Sequence, residues 1–325
     1  MDDYLRILFI TSTRIGDAVL STGVLAHLID RHPGAEITVA CGPVVAPLFE
    51  AMPEVAEVIA LKKQKMAGHW VQLWRRTVGR YWTIVVDLRG SGLNWFLLAG
   101  RRYVAGRSKG TVHKVVTLSN ALNVDPPASP RIRLHDFYRA KADAILKTDG
   151  PFLAICPTAN WIGKRWPEDR FVDLVRKLTT AGGLFETSTI VVFGGPGEED
   201  MAAEVLDGLE DKSPLNLVGK LDLPTAYACL ARCQFFIGND SGLMHLSAAA
   251  GVPTLGVFGP SPDNLYAPWG EDCMVVRNET YDAIVNNPEF DHRKPVSYMG
   301  SLTVGQVQAA TEDLFQKVQQ KKETT

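Results

Sequence analysis

The chain has 325 residues, 46% hydrophobic and 22% charged, which is enough for two ordinary α/β domains, each with its own core. Its net charge of −2 conceals an asymmetry: residues 1–150 carry 20 Lys and Arg against 13 Asp and Glu, the remainder 14 against 23, so an anionic partner favours the N-terminal half. Five cysteines with no C-x-x-C pair argue against a disulfide framework and for reduced thiols in a cytoplasm, and no window approaches the roughly 18 apolar residues of a membrane span. The opening "MDDYLRILFITS" is acidic and then strand-like, unlike a signal peptide.

Short apolar runs alternate with longer helical patterns, the signature of parallel sheets with crossover helices. The first expected strand, Leu5–Thr11, leads into "TSTRIGDAVLSTGVLAHLIDRHP". There Gly16 lets the backbone approach a ligand, and Asp17 opens a helix whose apolar positions Val19, Leu25, Leu28 and Ile29 recur at helical spacing. Asp17 reads either as an ordinary N-cap or as a carboxylate at a strand's C-terminal edge, able to take a proton from a hydroxyl. The loop lacks the G-x-G-x-x-G of dinucleotide enzymes, which disfavours NAD binding. Further strands are expected at Glu36–Cys41, Val55–Leu61, Thr83–Leu88 and Arg102–Gly106. The segment "LNWFLLAG" (Leu93–Gly100) reads as a buried helix face, with a membrane-surface patch as the alternative.

A Pro-rich stretch, Asp125–Leu134, and a helix around Phe137–Leu146 precede a second series of strands: Phe152–Pro157, Ser188–Gly195, Leu215–Gly219, Gln234–Gly238 and Pro253–Gly259. Two such series imply an α/β protein of two doubly wound, Rossmann-like domains facing each other across a cleft, with ligands beyond the carboxyl ends of the strands. In "CPTANWIGKRWPEDRF" the hydroxyl of Thr158 and the cation of Lys164 or Arg165 suit a phosphate; solvated surface charge is the plainer reading. Trp161 and Trp166 read as packing residues. In "FGGPGEED", Glu198, or Glu199 in its place, suits ribose hydroxyls, although acids there equally compensate a helix dipole. In "GNDSGLMHLSAAAG", Asp240 is the expected N-cap, leaving the amides of Ser241 and Gly242 to face a pyrophosphate, and Gly251 ends the helix. His245, about a turn further on, reads either as a donor to a phosphate or ribose oxygen or as a satisfied helix residue.

These loops, in this order, resemble the ADP-heptose:lipopolysaccharide heptosyltransferase family, inverting glycosyltransferases of the GT-B fold. The resemblance spans nearly the whole chain and rests on "RIGDAVLSTGVLAHL", "VVDLRGSGLNWFLLAG", "GKRWPEDRFVDLVRKL", "FGGPGEED" and "GNDSGLMHLSAAAGVPTLGVFGPSPDNLYAPWG". It implies an acceptor-binding domain over residues 1–148 and a nucleotide-sugar donor domain over 149–302. A C-terminal helix, 303–325, is expected to pack back on the first domain. It further implies that Asp17 is the catalytic base, that Thr158 and Lys164 hold the donor phosphates, and that Asp240, Ser241, Gly242 and His245 form the pyrophosphate and sugar site. The phosphate-binding cation is Lys164 or, one residue later, Arg165.

The implied donor is ADP-heptose, and the implied acceptor an anionic glycan or glycolipid, in line with the basic first half; nucleic acid is not an expected partner. Arg14, Gly16 and Arg89 lead the acceptor-side candidates, followed by Lys62, Lys63, Lys65, Arg107, Lys109 and Lys114. No D-x-D triplet is present, so metal-independent transfer without a cofactor is expected. The expected location is cytoplasmic, with peripheral contact to the inner membrane. A nucleotide-sugar epimerase-like enzyme and a non-catalytic nucleotide-sugar-binding protein on the same fold are the alternatives. Between Val276 and Gly300 the chain lacks the cysteines that several members of the family carry there.

Overall fold

The computed structural model describes residues 5–106 and 110–324, so Arg107 and Lys109 lie outside the described residues. Two compact units divide between Tyr138 and Arg139. The division falls within a helix and not after it, because Lys141 pairs with Asp222 at 3.0 Å and Asp143 pairs with Arg232, tying that helix to the second unit.

In the first unit the strands are β1 (Arg6–Ile10), β2 (Glu36–Cys41), β3 (Val55–Ala60), β4 (Tyr81–Asp87) and β5 (Leu98–Val104). The helices are α1 (Ile15–Arg31), α2 (Ala46–Glu50), α3 (Gly68–Thr77) and α4 (Lys114–Asn120), and α5 (Asp136–Leu146) spans the division. The sheet is parallel, in the order β3-β2-β1-β4-β5, with Leu8 opposite Thr38 and Val85. Ile7, Leu8, Phe9 and Ile10 are all fully buried, as a central parallel strand covered on both faces requires. Helix α1 lies so close to the Pro-rich segment that a Cβ on Gly23 would stand 2.1 Å from the Ala128 carbonyl oxygen. The Arg131 amide donates to Thr22 Oγ1 at 3.2 Å across the same contact.

The buried-helix expectation for Leu93–Gly100 is corrected. Residues 93–96 form a single 3₁₀ turn and β5 already begins at Leu98, ahead of the expected Arg102. The edge strand pairs from Tyr81–Leu98 onward. Leu93 and Leu97 turn into the core, while Trp95, Phe96 and Leu98 are 72%, 74% and 64% exposed.

The second unit contains β6 (Phe152–Cys156), β7 (Thr189–Val192), β8 (Leu215–Asn216), β9 (Phe235–Asn239), β10 (Thr254–Val257) and β11 (Cys273–Val276). Its helices are α6 (Glu168–Leu178), α7 (Glu199–Gly208), α8 (Leu223–Leu230), α9 (Gly242–Ala249), α10 (Asp263–Tyr266), α11 (Tyr281–Val285) and α12 (Val304–Thr324). The parallel order is β11-β10-β9-β6-β7-β8. Strand β11 has no counterpart in the sequence reading. The final helix, expected to pack back on the first domain, supplies Val307, Leu314 and Val318 to the second unit's core and packs on α6, β10 and β11. Phe315 closes a ring cluster there, with centroids 5.5 Å from Phe185 and 6.5 Å from Phe235. Trp166, fully buried, sits edge-on to Phe171 at 5.0 Å and donates its indole N–H to the Leu302 carbonyl. Burying such a side chain contributes about 1.5–3 kcal/mol. It also fixes the loop that precedes α6.

Candidate active site

Each sheet reverses its strand order once, between β1 and β4 in the first unit and between β6 and β9 in the second. Ligands of doubly wound sheets bind outside the carboxyl ends of the strands at these switch points. In the first unit the loops after β1 and β4 flank this position. The β1 loop is held down by the Thr11 amide on the Ala40 carbonyl at 2.9 Å. Only glycine fits at Gly42, where a Cβ would lie 2.5 Å from Thr13 Cα. Ser21 donates to the Ala18 carbonyl, which leaves Thr11 as the donor in their 2.7 Å hydroxyl pair.

The β4 loop is organised by Asp87, a residue the sequence reading missed. Its buried carboxylate accepts the Arg89 amide at 3.0 Å, the Ser91 amide at 2.8 Å and the Ser91 hydroxyl at 2.7 Å. The signal was an Asp at a strand end followed by a Gly- and Ser-rich turn, where its side chain caps its own loop. A cavity of about 210 Å³ lies between the loops, lined by Ser12, Asp17, Ser21, Arg89 and Lys114 among others.

Asp17 is not an N-cap: Arg14 holds that position, and Asp17 is the third residue of α1. Its Oδ1 is buried and has no hydrogen-bond partner among the described residues. The Arg89 guanidinium lies 5.8 Å from the Trp70 ring centroid. Arg14 is exposed at the helix start and Gly16 lies in its first turn, and neither lines this cavity. Lys62, Lys63 and Lys65 are exposed between β3 and α3.

In the second unit the switch-point loops follow β6 and β9. Lys164 donates to Asp240 Oδ2 at 2.5 Å across 76 positions of sequence, with the Asp240 side chain 8% exposed. The expected N-cap role of Asp240 is therefore corrected: Ser241 is the N-cap of α9, and the Asp240 carboxylate is turned to Lys164. An ammonium carries three donors, so two remain on Lys164 beyond Asp240. Arg165 turns elsewhere, 3.8 Å from Glu168.

Thr158 is fully buried and donates to Glu198 Oε2 at 2.5 Å, an oxygen that also accepts the Gly195 amide at 2.8 Å. A hydroxyl has one proton, so in this arrangement Thr158 holds Glu198 and does not offer its proton to a phosphate, against expectation. Asn239, also missed, bridges the two loops: its Oδ1 accepts the Trp166 amide at 3.0 Å and its Nδ2 donates to the Pro157 carbonyl at 2.6 Å. Cys156 lies below, its thiol pushed up to about 11 by burial, a neutral packing group at physiological pH. His245 is buried in α9, three residues past Gly242, and Gly251 at φ +78° ends that helical segment.

Two doubly wound sheets, each gathering polar groups at its switch point, are the build of a GT-B glycosyltransferase. The sequence pattern of Glycosyltransferase family 9 (heptosyltransferase) matches residues 84–295, and the chain belongs to that family. It is 24% identical to the lipopolysaccharide heptosyltransferase 2 of Salmonella typhimurium, over 84% of this chain and 88% of that protein. To the lipopolysaccharide heptosyltransferase 3 of Escherichia coli it is also 24% identical, over 92% of this chain and 95% of that one. The E. coli ADP-heptose lps heptosyltransferase II structure superposes with a TM-score of 0.74 at 21% identity, covering 97% of this chain and 100% of that one. The protein is a glycosyltransferase, and the epimerase-like and non-catalytic alternatives are set aside. No helix among the described residues is long and apolar enough to cross a membrane.

Proposed function

We propose that the chain moves a heptose, or a closely related sugar, from an ADP-activated donor to a hydroxyl of a lipopolysaccharide core or related anionic glycan, with inversion and without a metal. Supporting this reading are its relatives, which are lipopolysaccharide heptosyltransferases. The observation that carries it is Asp17, whose buried, unpartnered Oδ1 belongs to a carboxylate lining a cavity with Arg89 and Lys114. A carboxylate without a partner is available to take a proton, and two cations beside it suit an acceptor bearing phosphate or carboxylate groups.

Asp17 takes the acceptor hydroxyl's proton as the hydroxyl oxygen bonds to the anomeric carbon. The bond from that carbon to the β-phosphate oxygen breaks, and ADP leaves with the electron pair. Charge gathering on the leaving phosphate is met by the two remaining protons of Lys164 and by the amides of Ser241 and Gly242 at the start of α9. Glu198, held by Thr158, offers its other oxygen to a ribose hydroxyl, and Asp240 keeps Lys164 in place. His245 belongs to the same donor half, while Arg165, paired with Glu168, stays outside it.

The test is ADP release from ADP-heptose with a lipopolysaccharide-core acceptor. Asp17→Asn is expected to lower kcat by about 10²–10⁴-fold, the range for loss of a general base, with donor binding retained and wild-type activity unaffected by excess EDTA. Unchanged turnover in the variant overturns the base assignment, and loss of activity in EDTA overturns the metal-free mechanism.

We place this activity in the cytoplasm at the inner membrane surface. The support is the exposed set Trp95, Phe96 and Leu98, beside which Arg102 lies 6.0 Å from the Trp95 ring centroid. Aromatic residues next to cations suit the headgroup region of an anionic bilayer. Co-sedimentation with phosphatidylglycerol vesicles is expected to fall in Trp95→Ser/Phe96→Ser while turnover of a soluble acceptor is kept; equal sedimentation of wild type and variant rejects this contact.

A further inference from the structure

The C-terminal end of α1 carries a feature that the transfer reaction does not use. His27 and Arg31 from α1 and His32 just beyond it meet Arg101 and Tyr103 of β5 around a cavity of about 320 Å³, with Asp125 as the one carboxylate of its lining. At 1.5 Å per residue, Arg31 lies about 21 Å along the helix from Asp17. Arg101 pairs with Ile84, midway along β4, well before the loop that follows this strand. This cavity and the Asp17 cavity therefore belong to opposite ends of α1.

A cation at a helix C-terminus has an ordinary explanation in the helix dipole. That does not account for Arg101, which comes from a different element and adds a second guanidinium to the same cavity. Among the described residues neither Arg31 nor Arg101 has an ion pair. Gathering four basic side chains around one carboxylate costs mutual repulsion. Its effect is visible at His32, held below the ordinary histidine range by burial first and then by Arg31, Arg101 and His27.

We propose that this cavity is a second anion site, binding a phosphate or pyrophosphate group of a small molecule between Arg31 and Arg101, with His27, His32 and Tyr103 as further donors. Guanidinium forks match phosphate oxygens in pairs, and a cavity near the lower end of the usual range for small-molecule sites admits a phosphorylated sugar but not a polymer. The bound anion offsets the repulsion on His32, which titrates higher in the complex than in the free protein. By linkage, binding tightens as pH falls through the His32 titration. A rise of one pKa unit corresponds to at most about tenfold in affinity, reached only below the free-protein titration.

The probe is inorganic pyrophosphate, titrated into the full-length protein while the His27 and His32 ring resonances are followed by NMR. Because pyrophosphate also suits the donor half, the Lys164→Ala variant is used to empty that site. In Lys164→Ala, pyrophosphate is expected to bind and to raise the His32 titration midpoint. The double charge reversal Arg31→Glu/Arg101→Glu is expected to lose both effects in the Lys164→Ala background and, made in the wild type, to keep thermal unfolding and basal transfer activity. A parallel arm with phosphatidylglycerol vesicles separates sources: a response to free pyrophosphate assigns a soluble ligand, and a response to vesicles alone assigns a headgroup phosphate. A His32 titration indifferent to both probes, or a response that survives the charge reversal, overturns the proposal.

Discussion

Lys164 spends one proton on Asp240 and keeps two, so removal of either partner is expected to act differently. Lys164→Ala deletes the cation proposed to meet the leaving phosphate, and a loss of about 10²–10³-fold in kcat is expected, the range for an electrostatic donor in a dry site. Asp240→Asn leaves the ammonium in place but loosens it, and about a tenfold loss is expected, the scale of one charge-assisted hydrogen bond. Initial-rate kinetics of ADP release at varied donor concentration measure both. A larger effect from Asp240→Asn than from Lys164→Ala assigns the carboxylate a role of its own. Neither distance nor partner was legible in the sequence, because a pairing across 76 positions is made by strand order and leaves no local spacing pattern. The residue types were legible, since Asp240 and Lys164 each follow a strand.

At the scale of elements, the sheets were readable and their edges were not. Strand β2 stands where its apolar run put it, Glu36–Cys41, because a buried parallel strand is a nearly continuous apolar run. The edge strand β5 escaped that logic. With Trp95, Phe96 and Leu98 outside, apolar content no longer reported burial, and hydrophobic spacing alone suggested a helix. Strand β11, Cys273–Val276, is an edge strand with only Val276 buried, so its apolar run gave little burial signal. Asn239 was hidden for another reason: a buried amide bridging two loops resembles any polar residue at a strand end. The contact at Gly23 is a further element-scale feature with a measurable cost. A Cβ there meets the Ala128 carbonyl at 2.1 Å, so Gly23→Ala has to push the Pro-rich segment off α1. The destabilisation expected is about 1–3 kcal/mol, the usual range for overpacking. It is read as a lowered urea midpoint at unchanged m-value.

Over the whole molecule, each unit has its own sheet, its own core and its own switch point. A ligand that engages one unit's loops therefore protects that unit first. Hydrogen exchange on the full chain with saturating ADP is expected to slow amides of the loops after β6 and β9 and of the first turn of α9, while β1 to β5 keep their rates. At a hundredfold excess over Kd the stabilisation available is about 2.7 kcal/mol. Protection concentrated in the loops after β1 and β4 would move the nucleotide to the other unit.

Asp87 anchors the β4 loop through three hydrogen bonds, and the residues it holds, Arg89 and Ser91, are not themselves part of any strand. The anchoring group thus sits inside the sheet while the residue that faces the cavity sits outside it. With the acceptor in this cavity, as proposed, such a division lets acceptor preference drift: Arg89, Ser12 and Lys114 line the cavity, while the carboxylate that shapes the loop lies in the sheet beneath it. Enzymes diverging from a common ancestor on this plan would differ in which sugar they extend long before they differ in how they fold.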